Sequence, residues 1–189
     1  DPAWLAIEGQ GVSAIGFDKP AITPIDFGQI KKEYGISPNL NMLYRDRRGH
    51  LWFNLERLGL GKYSPATSSF ETYSNSTFKD LISIRAVKCM IEHEEKLWIG
   101  SSYESSINLF KRSGETLEFE RKIYLDSTGE ETTFPQFFFA DSKENLWIAT
   151  SGGLFIKENG SPKVTRIRAV TGNIAAITED NAQNIWVAT

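Results

Sequence analysis

The chain has 189 residues, of which 40% are hydrophobic and 24% charged, with a formal net charge of −3 at pH 7. This composition supplies a real apolar core rather than a disordered polymer, and without a basic field neither nucleic acid nor an anionic membrane surface is expected as a partner. No run approaches the roughly 20 apolar residues of a membrane span, so no direct membrane insertion is expected, and the single cysteine, Cys89, excludes an internal disulfide framework. The opening Asp1, where a Met would start a translated chain, leads us to expect a processed or excised piece.

In chain order, the first predicted strand is WLAIE around Trp4, followed by GVSAIGFD from Gly11 to Asp18. FGQIKKEYG, Phe27 to Gly35, has the most helical character of any stretch and is read as an insertion or loop. A strand through Leu43, the turn DRRGH and a strand around Trp52 then form a hairpin, continued by GLGKYSP (Gly59 to Pro65) and SFETY (Ser69 to Tyr73). The succession returns with Cys89, EHEEK, Trp98, INLFKRSG (Ile107 to Gly114) and LEFERKIYL (Leu117 to Leu125). It returns again with Phe138, DSKEN, Trp147 and GLFIKENG (Gly153 to Gly160), and finally with Ile177, DNAQN and Trp186.

The five tryptophans, Trp4, Trp52, Trp98, Trp147 and Trp186, set the frame. Six residues before each of the last four stands an acid: Asp46, Glu92, Asp141 and Asp180. An Asp at a turn can accept hydrogen bonds from the backbone that follows it, so these acids read as turn caps rather than as a catalytic carboxylate set. Two residues after the tryptophan comes a small residue in most copies: Ala6, Gly100, Ala149 and Ala188, with Asn54 the exception. Cys89 takes the place held by Leu43, Phe138 and Ile177 and reads as a small buried hydrophobe.

Four short strands recurring every 40 to 50 residues or so, apolar on both faces, describe a sheet that must be packed on both sides. The expected fold is therefore all-β: a β-propeller segment of about four blades, each a four-stranded antiparallel sheet, and a fragment of a larger propeller. The expected units are a partial blade at 1–40, blades at about 41–83, 84–134 and 135–172, and a partial blade at 173–189. An open arc of blades would leave apolar faces that the remaining blades or self-association must cover.

The repeat, clearest in DSKENLWIATSGGLF (Asp141 to Phe155), resembles the two-component regulator propeller repeat. RDRRGHLWFNLERLGLGKY (Arg45 to Tyr63) is similar to the same motif, and WLAIEGQGVSAIGFD matches its second half. EHEEKLWIGSSYESSINLF (Glu92 to Phe110) departs from it: Glu stands for Asp, the turn glycine is absent, and extra residues precede the next strand, so this loop is expected to protrude. The resemblance implies an extracytoplasmic, periplasmic sensor region of a membrane-spanning hybrid histidine kinase of the kind found in gut Bacteroidetes, where such propellers detect glycan breakdown products. The kinase itself would lie outside this chain.

No phosphate loop, HExxH, GxSxG or calcium loop occurs, and no cofactor, metal or catalytic residue is expected in this segment. His50 and His93 read as solvated turn histidines, and the RDRR run, Arg45 to Arg48, as a solvated edge. The candidate ligand-binding residues lie in the loops after the tryptophan strands: Glu56 and Arg57, Tyr103 and Glu104, and Ser151. Aromatic rings and charged donors on varied loops suit an oligosaccharide. Asn75-Ser76-Thr77 fits a glycosylation sequon that a bacterial origin would make meaningless. Two other functions compete: a streptogramin lyase-like propeller enzyme, and a non-catalytic structural interaction propeller.

Overall fold

The computed structural model describes residues 3–7, 11–15, 22–35, 40, 42–55, 58–74, 86–114, 116–125 and 133–189. The chain divides into two compact units, Asp1–Ala86 and Val87–Thr189. In the first, β1 (Ala3–Ile7), β2 (Gly11–Ile15) and β3 (Ile22–Pro24) form a three-stranded antiparallel sheet. The helix α1 (Gly28–Tyr34) follows, and then a four-stranded antiparallel sheet of β4 (Leu43–Arg45), β5 (Leu51–Leu55), β6 (Gly59–Ser64) and β7 (Ser69–Ser74).

The second unit holds two more four-stranded antiparallel sheets. One is β8 (Val87–His93), β9 (Lys96–Ser101), β10 (Ser106–Ser113) and β11 (Thr116–Tyr124); the other is β12 (Pro135–Ala140), β13 (Leu146–Thr150), β14 (Gly153–Lys157) and β15 (Thr165–Thr171). A two-stranded sheet of β16 (Ala176–Glu179) and β17 (Ile185–Ala188) completes it. Strand order follows chain order in every sheet. In such a meander the first and third turns of a four-stranded sheet share one end, and the second connection lies at the other.

The five tryptophans sit on β1, β5, β9, β13 and β17. Every residue of β5 is buried, and in β9 all but Lys96 are. In the first unit Val12, Phe27, Ile30, Leu40, Leu51, Phe53 and Leu55 form one core, where the Phe27 and Phe53 rings meet edge to face at 5.3 Å. Each such side chain withdrawn from water contributes about 2 kcal/mol toward offsetting chain entropy. In the second unit Trp98, Ile107 and Leu109 pack against Leu146, Ile148 and Phe155, so the core lies between the β8–β11 and β12–β15 sheets.

The small residue two positions after the tryptophan has a steric cause there. A Cβ on Gly100 would lie 2.6 Å from both Cys89 Sγ and Pro135 Cβ, so only glycine lets β12 come this close. Cys89 is buried, and burial pushes its thiol far above the ordinary value. Tryptophan burial varies with place: Trp52 and Trp98 are 1% exposed, Trp186 on β17 62%.

Phe27 to Gly35, read from sequence as an insertion or loop, is helical from Gly28 to Tyr34. Ile30 anchors it in the core, and Gly35, with φ of 69°, closes it by donating its N–H to the Lys31 carbonyl. At seven residues the helix is too short to show an apolar period, and tertiary burial of Phe27 and Ile30 holds it.

Candidate functional site

Three of the four tryptophan hairpins end in the same carboxylate-centred turn. Asp46 Oδ1 accepts the N–H groups of Arg48 and His50, both at 2.9 Å, while Oδ2 takes the Trp52 indole N–H at 2.7 Å and lies 3.1 Å from His50 Nδ1. Asp141 does the same with Lys143 N, Asn145 N, Asn145 Nδ2 and Trp147 Nε1, and Asp180 with Ala182 N, Asn184 N, Asn184 Nδ2 and Trp186 Nε1. The residue three after each Asp is left-handed: Gly49 (φ 84°), Glu144 (62°) and Gln183 (63°). Hydrogen bonds from Asn184 and Trp186 lower the Asp180 carboxyl to about 2. Burial alone would raise Asp141, but its bonds from Trp147, Asn145 and the backbone outweigh that and leave it lowered. These carboxylates are saturated with internal donors. In the RDRR run only Asp46 turns inward; Arg45, Arg47 and Arg48 are exposed.

The β8–β9 hairpin is built differently. Glu92 keeps the six-residue spacing to tryptophan but lies inside β8, paired with Leu97, and does not cap the turn. The turn is only Glu94 and Glu95, both left-handed at φ 48° and 59°, as a two-residue hairpin loop requires. Here the Trp98 indole donates to the His93 carbonyl at 3.3 Å. Ile91 faces Trp98, and Met90 rather than Cys89 faces the residue after it, in the position that Leu43, Phe138 and Ile177 hold in their own hairpins. The turn is one residue shorter, and a register shift between Val87 and Cys89 returns the pairing to the common register only from Val87 back. His93 is 1% exposed, not a solvated turn residue.

Of the loop candidates, Glu56 and Arg57 lie outside the described residues, as does the sequon Asn75-Ser76-Thr77. Tyr103 and Glu104 share the connection 102–105 between β9 and β10, against 151–152 between β13 and β14. Tyr103 is 74% exposed. Glu104 Oε2 is engaged by Lys122 Nζ at 2.6 Å and Ser106 Oγ at 3.0 Å. Ser151 Oγ accepts the Phe134 N–H at 3.0 Å, and Ser105 Oγ accepts the neighbouring Thr133 N–H at 3.1 Å, so residues 133–134 tie the two loops together. The structure thus brings these loops to one rim, but the polar groups of Glu104 and Ser151 hold the rim and only the Tyr103 ring stands free of it.

Two cavities among the described residues bear on the site. In the first unit a space of about 430 Å³ is lined by Trp4, Tyr63 and Phe70 together with Asp26, Gln29 and Ser68. Tyr63 and Phe70 face each other with ring centroids 4.8 Å apart, and Asp26 Oδ1 is held by the Gly28 N–H at 2.8 Å. Sequence reasoning missed this set because its members come from β1, the segment leading into α1, α1 itself, and β6 and β7 with their turn; the Tyr-Phe pair across β6 and β7, seven residues apart, was the available signal. In the second unit a space of about 270 Å³ is lined by Glu94, Lys96, Trp98, Arg121, Lys157 and Ser161, among others. Among the described residues no group of three or more His, Cys, Asp or Glu is disposed to hold a metal, and no helix is long and apolar enough to cross a membrane.

No family model and no curated protein matches this sequence. Solved structures do. The whole chain superposes on the extracellular domain described as that of a hybrid two-component system from B. thetaiotaomicron, with a TM-score of 0.75 at 19% identity. A second such domain from the same organism gives 0.70, also at 19%. The chain spans only 24% and 25% of the lengths of these two. It is also similar, over its whole length and 67% of the other's, to a catalytically inactive virginiamycin B lyase from Staphylococcus aureus solved with quinupristin, with a TM-score of 0.67 at 15% identity. Together with the recurring four-stranded meanders, these likenesses make the chain a β-propeller segment.

Proposed function

We propose that this chain is a ligand-sensing segment of an extracytoplasmic propeller in a two-component signalling protein, and that its ligand is a carbohydrate. The likeness to the two extracellular domains supports the setting. The observation that carries the ligand class is the 430 Å³ cavity of the first unit: three aromatic rings supply faces on which a sugar ring stacks, and Asp26, Gln29 and Ser68 supply acceptors and donors for its hydroxyls. The volume falls in the range of small-ligand pockets. Binding would favour one arrangement of packed domains over another and so pass a signal to a catalytic domain elsewhere in the protein.

Calorimetry of the chain against a panel of neutral oligosaccharides tests this. Saturable binding that is lost in both Tyr63→Ala and Gln29→Ala is the expected result; a panel without binding, or binding indifferent to both substitutions, overturns it. The lyase likeness favours a second reading, a propeller enzyme, whose mark would be turnover of a bound sugar or lactone rather than its recovery unchanged.

A further inference from the structure

The odd hairpin does more than lose a cap. One of its two turn acids, Glu94, reaches out of its own sheet and binds Lys157 Nζ of β14, whose side chain is 4% exposed. A lysine so far from water must keep an anion beside it. Glu94 itself is 38% exposed and can rotate away into solvent. Burial pushes its carboxyl upward, and the hydrogen bond and charge of Lys157 more than reverse this.

Beside that pair lies the 270 Å³ cavity, with Trp98, Leu109 and Pro162 as its apolar walls. Its lining carries three cations, Lys96, Arg121 and Lys157. Lys96 is held by Glu120 at 2.9 Å and Lys157 by Glu94, whereas Arg121 makes no salt bridge among the described residues. Arg121 feels the charge of its neighbour Glu120 without closing an ion pair on it, and a planar guanidinium is the group best suited to a two-oxygen anion. The cavity lies at the turn end of the sheets, opposite the rim of Tyr103 and Ser151, and in the other unit from the aromatic cavity.

We propose that this cavity binds an organic carboxylate of about monosaccharide size, whose carboxylate pairs with Arg121 and takes the place of the Glu94 side chain at Lys157. Glu94 acts as the resident anion paired with Lys157 when the site is empty, and it leaves as the ligand enters. The hairpin that departs from the repeat is thereby the one that builds a site. This inference does not rest on the carbohydrate reading of the first unit.

Calorimetry of the whole chain at pH 7 and constant ionic strength, with D-galacturonate, D-galactose and acetate as probes, tests it. In the Tyr63→Ala background, which disables the aromatic cavity, galacturonate should bind, galactose should not, and acetate, lacking the ring, should bind at least about tenfold more weakly. Arg121→Gln, a change at an exposed strand position, should weaken galacturonate about tenfold. Glu94→Gln should strengthen it, because the competing carboxylate is gone; a purely structural role for Glu94 would move affinity the other way. Tyr63→Ala should leave it unchanged, which separates this site from the aromatic cavity. Absence of galacturonate binding, equal binding of galactose in the Tyr63→Ala background, or weaker binding in Glu94→Gln overturns the proposal.

Discussion

The DRRGH, DSKEN and DNAQN turns and the EHEEK turn occupy the same place in four successive hairpins, yet they solve the end of a sheet in opposite ways. In the first three, one Asp gathers two backbone N–H groups, one side chain and an indole N–H. In the fourth, the turn is shorter, the indole settles for a carbonyl, and the acid bonds across to the next sheet. Bonding across to a neighbouring sheet is not peculiar to it, since Ser142 of DSKEN donates to Glu179 and Gln183 of DNAQN to Ser142; what differs is that a turn carboxylate is committed across the gap rather than to its own turn.

The largest way to break this contrast is to remove a cap. Asp46 is fully buried at its side chain, and Asp46→Ala strands Trp52 Nε1 and two backbone donors, so urea unfolding should show a loss of about 3 kcal/mol. Glu94→Ala tests the other kind of turn: it leaves Lys157 buried without its anion and should cost about 2 kcal/mol, a loss that a carboxylate ligand added to the variant should partly restore. Gly49→Ala forces a side chain into φ of 84° and should cost about 1 kcal/mol, while Gln183→Gly, at the equivalent position of the last hairpin, should gain about 0.5 kcal/mol by the same measurement.

The smallest effect is the most specific. Asp180 titrates at about 2, below its ordinary 3.8, so its stabilising bonds are fully present above about pH 4 and are lost as pH falls through about 2. In proton NMR the Trp186 indole N–H should shift over that window. That of Trp98, which donates to a backbone carbonyl, should not follow a turn carboxylate.

The repeat itself was legible because alternation and tryptophan spacing report directly on strands packed on both faces. The Asp turns were legible for a related reason: an Asp six residues before a Trp, with Gly or Asn between, has few other geometries. The β8–β9 hairpin was not. Its turn is one residue shorter and the compensating register shift lies beyond Cys89, toward Val87, so Glu92 and Cys89 stand at the expected numbers while facing other partners. Two successive Glu residues also carry none of the left-handed preference that Asn-Gly would advertise. The aromatic cavity was invisible because Trp4, Tyr63 and Phe70 are distant in sequence and each has a sufficient core reading by itself. Tyr103, Glu104 and Ser151 do lie in loops that follow tryptophan strands, but sequence does not tell a side chain that meets a ligand from one that ties two loops together, as Ser151 does.

The unequal burial of the tryptophans gives the molecule an internal optical label. Trp52 and Trp98 are sealed at 1% exposure and should emit at short wavelength whatever surrounds the chain, whereas Trp186, at 62%, emits from water. Anything seated on β17 would turn that one red-edge emitter blue, so the last sheet reports its own occupancy without any dye attached.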